Sequence, residues 1–171
     1  GLSAVQLAKI FGARVIAAVG SEEKKQLVKQ FGPELVINYQ TEDIKKIIEN
    51  KYGKRPINVF YDQVGGEAYE QGIKLLGSEG RALIVGFASG NIPSQTLSYL
   101  LVKNISIMGV FMISFENDDR DYLKKRMELI FDLYINQQIE PIYKTIKFDE
   151  VITYLDLIGS RNTVGRIVAL R

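Results

Sequence analysis

Cysteine, histidine and tryptophan are all absent from this sequence. Without cysteine the chain forms no disulfide and offers no thiolate to a metal. Without histidine it also lacks the commonest metal ligand and the commonest general base, so any metal chemistry would fall to carboxylates, and no metal site is expected. An excess of one charge is missing too: 22 basic and 20 acidic residues leave a net charge of +2, which gives no reason to expect a nucleic acid or another polyanion as partner. The apolar opening from Leu2 to Val19 is interrupted by Lys9 and Arg14 and broken at Gly12, so it reads as neither a signal peptide nor a membrane span. A cytoplasmic protein is expected.

What is present suits one substantial core, since 46% of 171 residues are hydrophobic,. The opening stretch reads as a helix that starts on Gly1, turns at Gly12 and feeds a short apolar strand, Val15 to Val19, which stops at Gly20,. Ser21 stands where an N-cap belongs, with Glu22 and Glu23 in the first helical turn and Leu27, Val28 and Phe31 as the apolar stripe,. Further on, Leu35 to Ile37, Ile57 to Tyr61, Ala82 to Val85 and Ile105 to Phe111 read as strands. Between them come a helix capped by Thr41, a helix carrying Tyr69, Ile73 and Leu76, and a short helix from Gln95 to Val102,. This alternation predicts a doubly wound α/β fold with a parallel sheet. A long amphipathic helix from Asp118 to Asn136, a helix from Phe148 to Ile158 and a strand from Arg166 to Leu170 complete the reading.

A helix that begins on glycine after a strand is half of a dinucleotide-binding unit, because its unpaired N–H groups and positive dipole end favour a phosphate. Gly1-Leu-Ser-Ala-Val-Gln-Leu-Ala-Lys9 resembles the end of the cofactor fingerprint of the medium-chain dehydrogenase/reductase superfamily, in its zinc-independent quinone oxidoreductase branch. Val36-Ile-Asn-Tyr39, Tyr61-Asp-Gln-Val-Gly-Gly66, Gly86-Phe-Ala-Ser-Gly90 and Ser160-Arg-Asn-Thr-Val-Gly-Arg-Ile-Val168 continue the resemblance in order. It implies a Rossmann-type sheet whose first strand and first glycines would precede residue 1, with residues 1–140 binding NADPH and 141–171 returning to a separate GroES-like substrate domain. The expectation is of part of a longer protein, whose 171 residues alone bind NADPH poorly.

The resemblance also names site residues. Where an acidic residue would bond the adenosine ribose, the second strand of the family's sheet ends here in Gly20-Ser21, and a basic residue at such a place accommodates a 2′-phosphate. A lysine at the position of Lys24, a tyrosine at that of Tyr39 and an arginine at that of Arg161 hold that phosphate in the family. Glu22 or Glu23 meeting a ribose hydroxyl is the alternative. Gly1, Ser21, Val64, Gly86, Phe87, Ser89 and Phe111 complete the implied cofactor set, while Ala88 replaces a more polar residue usual in its loop. No acid or base for catalysis is identified. Tyr52-Gly-Lys-Arg55 and Leu123-Lys-Lys-Arg126 read as solubilising charge.

The implied activity is hydride transfer from NADPH to a quinone or an α,β-unsaturated carbonyl, in a homodimer joined through the strand Ile105–Met112. Two alternatives stand beside it: a zinc alcohol dehydrogenase of the same superfamily, and a dinucleotide-binding or RNA-binding relative without enzymatic activity.

Overall fold

The computed structural model describes residues 1–118, 120–160 and 163–171, and the side chains of all of these except 116–118 and 120. Helices and strands alternate as α1 (Leu2–Ile10), β1 (Ile16–Val19), α2 (Glu22–Lys29), β2 (Leu35–Asn38), α3 (Ile44–Tyr52), β3 (Ile57–Asp62), α4 (Gly66–Ile73), β4 (Leu76–Ile84), α5 (Leu97–Lys103) and β5 (Ser106–Gly109). Then come α6 (Met112–Asp118), α7 (Arg120–Ile135), β6 (Tyr143–Lys147), one 3-10 turn (Phe148–Glu150), α8 (Val151–Gly159) and β7 (Arg166–Leu170). Among the described residues the strands form three sheets: β1 with β2, β3-β4-β5, and β6 with β7. The last two are parallel throughout. The α/β class expected from the alternation is what the chain adopts.

Residues 1–17, 22–36 and 128–171 make one compact unit, and residues 18–21 and 37–127 make another. In the first, Gln6 is only 9% exposed. Its amide donates to the Glu140 carbonyl (2.9 Å) and accepts from the Glu140 N–H (2.7 Å), a two-way clasp between α1 and the chain ahead of β6. In the second, Tyr69 and Ile73 stand four residues apart on α4 and pack with Leu76 and Ala82 of β4, with Phe60 and Ile107 against them. Burying a side chain such as that of Ile73 or Leu76 contributes about 1.5–3 kcal/mol. Gly72 leaves the space that the Phe60 ring fills against the helix.

Several expectations need correction. Asp43, not Thr41, caps α3, its carboxylate accepting from the Lys46 N–H (2.9 Å). A carboxylate immediately ahead of the first helical residue reaches that N–H directly, whereas the Thr41 N–H is turned back onto the Asn38 carbonyl (3.1 Å). Leu76 opens β4 instead of closing α4, and β4 bulges where its register jumps from Ile57↔Leu76 to Val59↔Arg81. Glu79 lies in that bulge at φ 62°, its N–H donating to the Asn104 carbonyl (2.6 Å). Arg55 is no solubilising charge: its half-buried guanidinium donates to the Leu76 and Lys103 carbonyls at 2.6 and 2.7 Å, tying the loop before β3 to the start of β4 and the end of α5. Arg126 is exposed, as a solubilising charge should be, and also lies over the Tyr122 ring, 5.0 Å from its centroid, while Tyr122 in turn stacks on Phe115.

The strand expected over Ile105 to Phe111 is shorter, because pairing with β4 ends at Gly109 and the chain turns into helix at Met112. Helix is therefore present ahead of Asp118 as well as after it. β6 was not anticipated, since only Ile146 of its five residues is buried and no apolar alternation betrays it.

Candidate functional site

In parallel sheets ligands bind along the carboxyl ends of the strands, and in the second unit those ends fall in line. Asp62 pairs with Ile84 and Ile84 with Gly109, so the segments after β3, β4 and β5 leave one edge together. The first two are bonded to each other. The Ala88 N–H donates to the Gln63 carbonyl (3.1 Å), the Ser89 N–H to that of Val64 (2.9 Å) and the Gly66 N–H to that of Asn91 (3.1 Å). Ser89 Oγ accepts from the Asn91 N–H (3.2 Å). Val64, Phe87 and Ser89 are thus carried on one double loop.

Gly65 makes the crossing possible. It adopts φ 72° and ψ −159° at the head of α4, and a Cβ there would stand 2.6 Å from the Asn91 carbonyl oxygen and 3.3 Å from the Phe87 ring. At Gly86, by contrast, a Cβ would meet nothing closer than the Gln63 oxygen at 3.6 Å. Phe111 is 65% exposed just beyond β5, where the Val110 N–H donates to the Ile84 carbonyl (2.9 Å). Aromatic surface and glycine backbone therefore line this edge, a combination that lets a flat ligand approach closely.

A second cluster lies at the ends of β1 and β2. The Tyr39 N–H donates to the Val19 carbonyl (2.9 Å), and its ring folds back so that a Cβ at Gly20 would come 2.7 Å from the hydroxyl oxygen. Tyr39 is consequently held one residue from Ser21, at a strand end that carries no carboxylate. Lys24 belongs to the other unit, at the third position of α2. Gly1 is in that unit as well and caps α1, its carbonyl accepting from the Val5 N–H (3.1 Å). Arg161 lies outside the described residues.

Other concavities fit a ligand less well. An open groove of about 430 Å³ in the second unit starts at Tyr39 and, away from it, mixes Glu42, Asp43 and Glu67 with Lys45 and Lys74, which leaves that part without a basic field for a phosphate. No group of three or more acidic side chains able to hold a metal exists among the described residues. Tyr69 is no candidate base: burial, followed by the nearby Asp62 and Tyr99, pushes its phenol above the ordinary range,. No described helix is long and apolar enough to cross a membrane.

The family model described as "Zinc-binding dehydrogenase" matches residues 1–132. The chain is similar to quinone oxidoreductase-like protein 2 of Mus musculus, 31% identical over 173 aligned positions that cover 98% of this chain and 49% of that protein. It is similar also to prostaglandin reductase-3 of Mus musculus, at 30% identity over 98% of this chain and 48% of that protein. The crystal structure of Escherichia coli quinone oxidoreductase complexed with NADPH superposes on it with a TM-score of 0.90 and 25% identity, covering 100% of this chain and 53% of the other. The chain spans about half the length of these relatives.

Proposed function

Because the chain belongs to the zinc-binding dehydrogenase family, within the medium-chain dehydrogenase/reductase superfamily, we propose that it serves an NADPH-dependent oxidoreductase that reduces a quinone or an α,β-unsaturated carbonyl. The observation that carries the cofactor choice is the end of β1. There Gly20-Ser21 offers no carboxylate to a ribose hydroxyl, and the Tyr39 hydroxyl is folded back beside it. An extra 2′-phosphate, not a free hydroxyl, suits that chemistry. Lys24, Tyr39 and Arg161 are assigned to the phosphate, Gly1 to the diphosphate through the start of α1, and Val64, Gly86, Phe87, Ser89 and Phe111 to the remainder of the dinucleotide.

When bound, NADPH supplies the hydride. The protein's part is placement: the double loop after β3 and β4 offers a fixed surface, and Phe87 and Phe111 exclude water beside it. These 171 residues supply no cysteine or histidine to a zinc ion,, so no step of the proposed reaction is assigned to a metal held by them. Residues 1–140 form the NADPH-binding portion in this reading and 141–171 the segment that returns to the substrate domain. On this reading the 171 residues are inactive by themselves and the protein is cytoplasmic.

Titration of the full-length protein with NADPH and NADH, followed by nicotinamide fluorescence, tests the proposal. NADPH is expected to bind at least about tenfold more tightly, a difference of roughly 1.4 kcal/mol. Equal affinities would return the ribose contact to Glu22 or Glu23, and no binding of either would favour the non-enzymatic alternative.

We further propose that two copies associate through β5. Its outer edge has no strand partner among the described residues, Met108 is half exposed upon it, and an uncovered apolar edge invites pairing. Light scattering of the full-length protein is expected to give twice the subunit mass, and a monomer at high concentration would count against the pairing.

A further inference from the structure

Asp62 is only 3% exposed, and the reading above gives it no task. Its carboxylate ends β3 and faces the head of α4. Oδ1 accepts from the Val64 N–H at 2.9 Å, and both oxygens accept from the Gly65 N–H, at 3.1 and 3.2 Å. The next donor, the Gly66 N–H, is taken by the Asn91 carbonyl. A helix that begins on two glycines of positive φ is a natural anion cradle, and here the chain's own carboxylate supplies the anion.

Two consequences follow from the same three bonds. The N–H groups of Val64 and Gly65 point inward to Asp62, so α4 presents none of these donors to a phosphate. With those N–H groups turned in, the Gln63 and Val64 carbonyls face the neighbouring loop, where they accept from Ala88 and Ser89. The backbone of Asp62 joins in, its carbonyl accepting from the Val85 N–H at 2.7 Å.

We infer that Asp62 is a positioning residue for the cofactor-binding edge: as the built-in anion of α4 it fastens the 63–66 turn to the 86–91 loop. This rests on the proposed NADPH binding, but half of its test does not. Hydrogen exchange of the full-length protein without cofactor is compared for wild type, Asp62→Ala and Asp62→Asn.

In D62A the amides of Val64, Gly65, Ala88 and Ser89 are expected to exchange at least about tenfold faster, the equivalent of one net hydrogen bond. Phe60 and Leu83 in the β3–β4 ladder should keep their protection. The Kd for NADPH should rise by about tenfold, while that for adenosine 2′,5′-bisphosphate, which lacks the nicotinamide half, should change less than about twofold. D62N sets an amide donor against the Gly65 N–H. It is expected to show the same pattern at about threefold, and it carries the test if D62A does not fold.

Wild-type exchange in the two loops of both variants would overturn the inference. So would equal weakening of NADPH and the bisphosphate, which marks a general loss of structure. Failure of the wild type to bind NADPH would overturn the proposed function instead, leaving the exchange comparison to decide the role of Asp62.

Discussion

Gly65→Ala is expected to destabilise the protein by about 4 kcal/mol, the sum of a backbone cost of about 1–3 and an overpacking cost of about 1–3. With φ at 72° and ψ at −159° the residue occupies a region open essentially to glycine alone,. The methyl group would also run into backbone, the Asn91 carbonyl oxygen at 2.6 Å, which cannot swing aside as a side chain would. Relief requires opening the double loop, and the Gly66 to Asn91 bond goes with it. Gly90→Ala is the matched control: φ is again positive, at 80°, but nothing lies within 4 Å of its Cβ position, so the cost should be limited to about 1 kcal/mol. Urea denaturation of the full-length protein measures both. A loss below about 1 kcal/mol for Gly65→Ala would show that the loops can separate freely.

Changing Lys24 and Arg161 together to alanine is expected to weaken NADPH about 100-fold and NADH less than about threefold, since each charge-assisted bond to phosphate is worth about 1.5–3 kcal/mol. The argument rests on charge. A 2′-phosphate carries close to two negative charges, the end of β1 brings no opposing carboxylate, and NADH has nothing at that place for a cation to meet. The wild-type affinity for NADPH should accordingly fall with added salt more steeply than that of the double variant. Parallel titrations at two ionic strengths provide the comparison. Equal losses for the two cofactors would remove both residues from the phosphate.

What could be read beforehand was what depends on near neighbours. The strand–helix alternation was legible because apolar runs such as Ile16–Val19 and stripes such as Ile44 and Ile48 express their periods over a few residues. The glycines at 65 and 66 were legible as a loop for the same reason. Arg55 was not, because its acceptors on Leu76 and Lys103 lie 21 and 48 residues away. Asp62 stands within the Tyr61–Gly66 motif, yet its task is invisible in the sequence because the loop at 86–91 that crosses the turn it holds lies more than twenty residues on. The choice of Asp43 over Thr41 turned on a local competition: Glu42 accepts from the Asn38 N–H at 2.7 Å and ends β2, which leaves Asp43 to begin the helix. The strand reads longer in the sequence because Val110 to Met112 are strand-like by composition, while the backbone is already turning there, the Ser114 N–H donating to the Phe111 carbonyl (3.2 Å).

The clasp between Gln6 and Glu140 bears on the order in which the chain can become structured. It joins residues 134 positions apart, and the unit that holds it draws on 128–171 as well as on 1–17 and 22–36. The other unit needs nothing beyond residue 127. On a ribosome adding about 5–20 residues per second, the unit with the crossed loops has its whole sequence in hand while α1 is still waiting seconds for its partner. Gln6, buried at the end, must spend that interval with its amide in water.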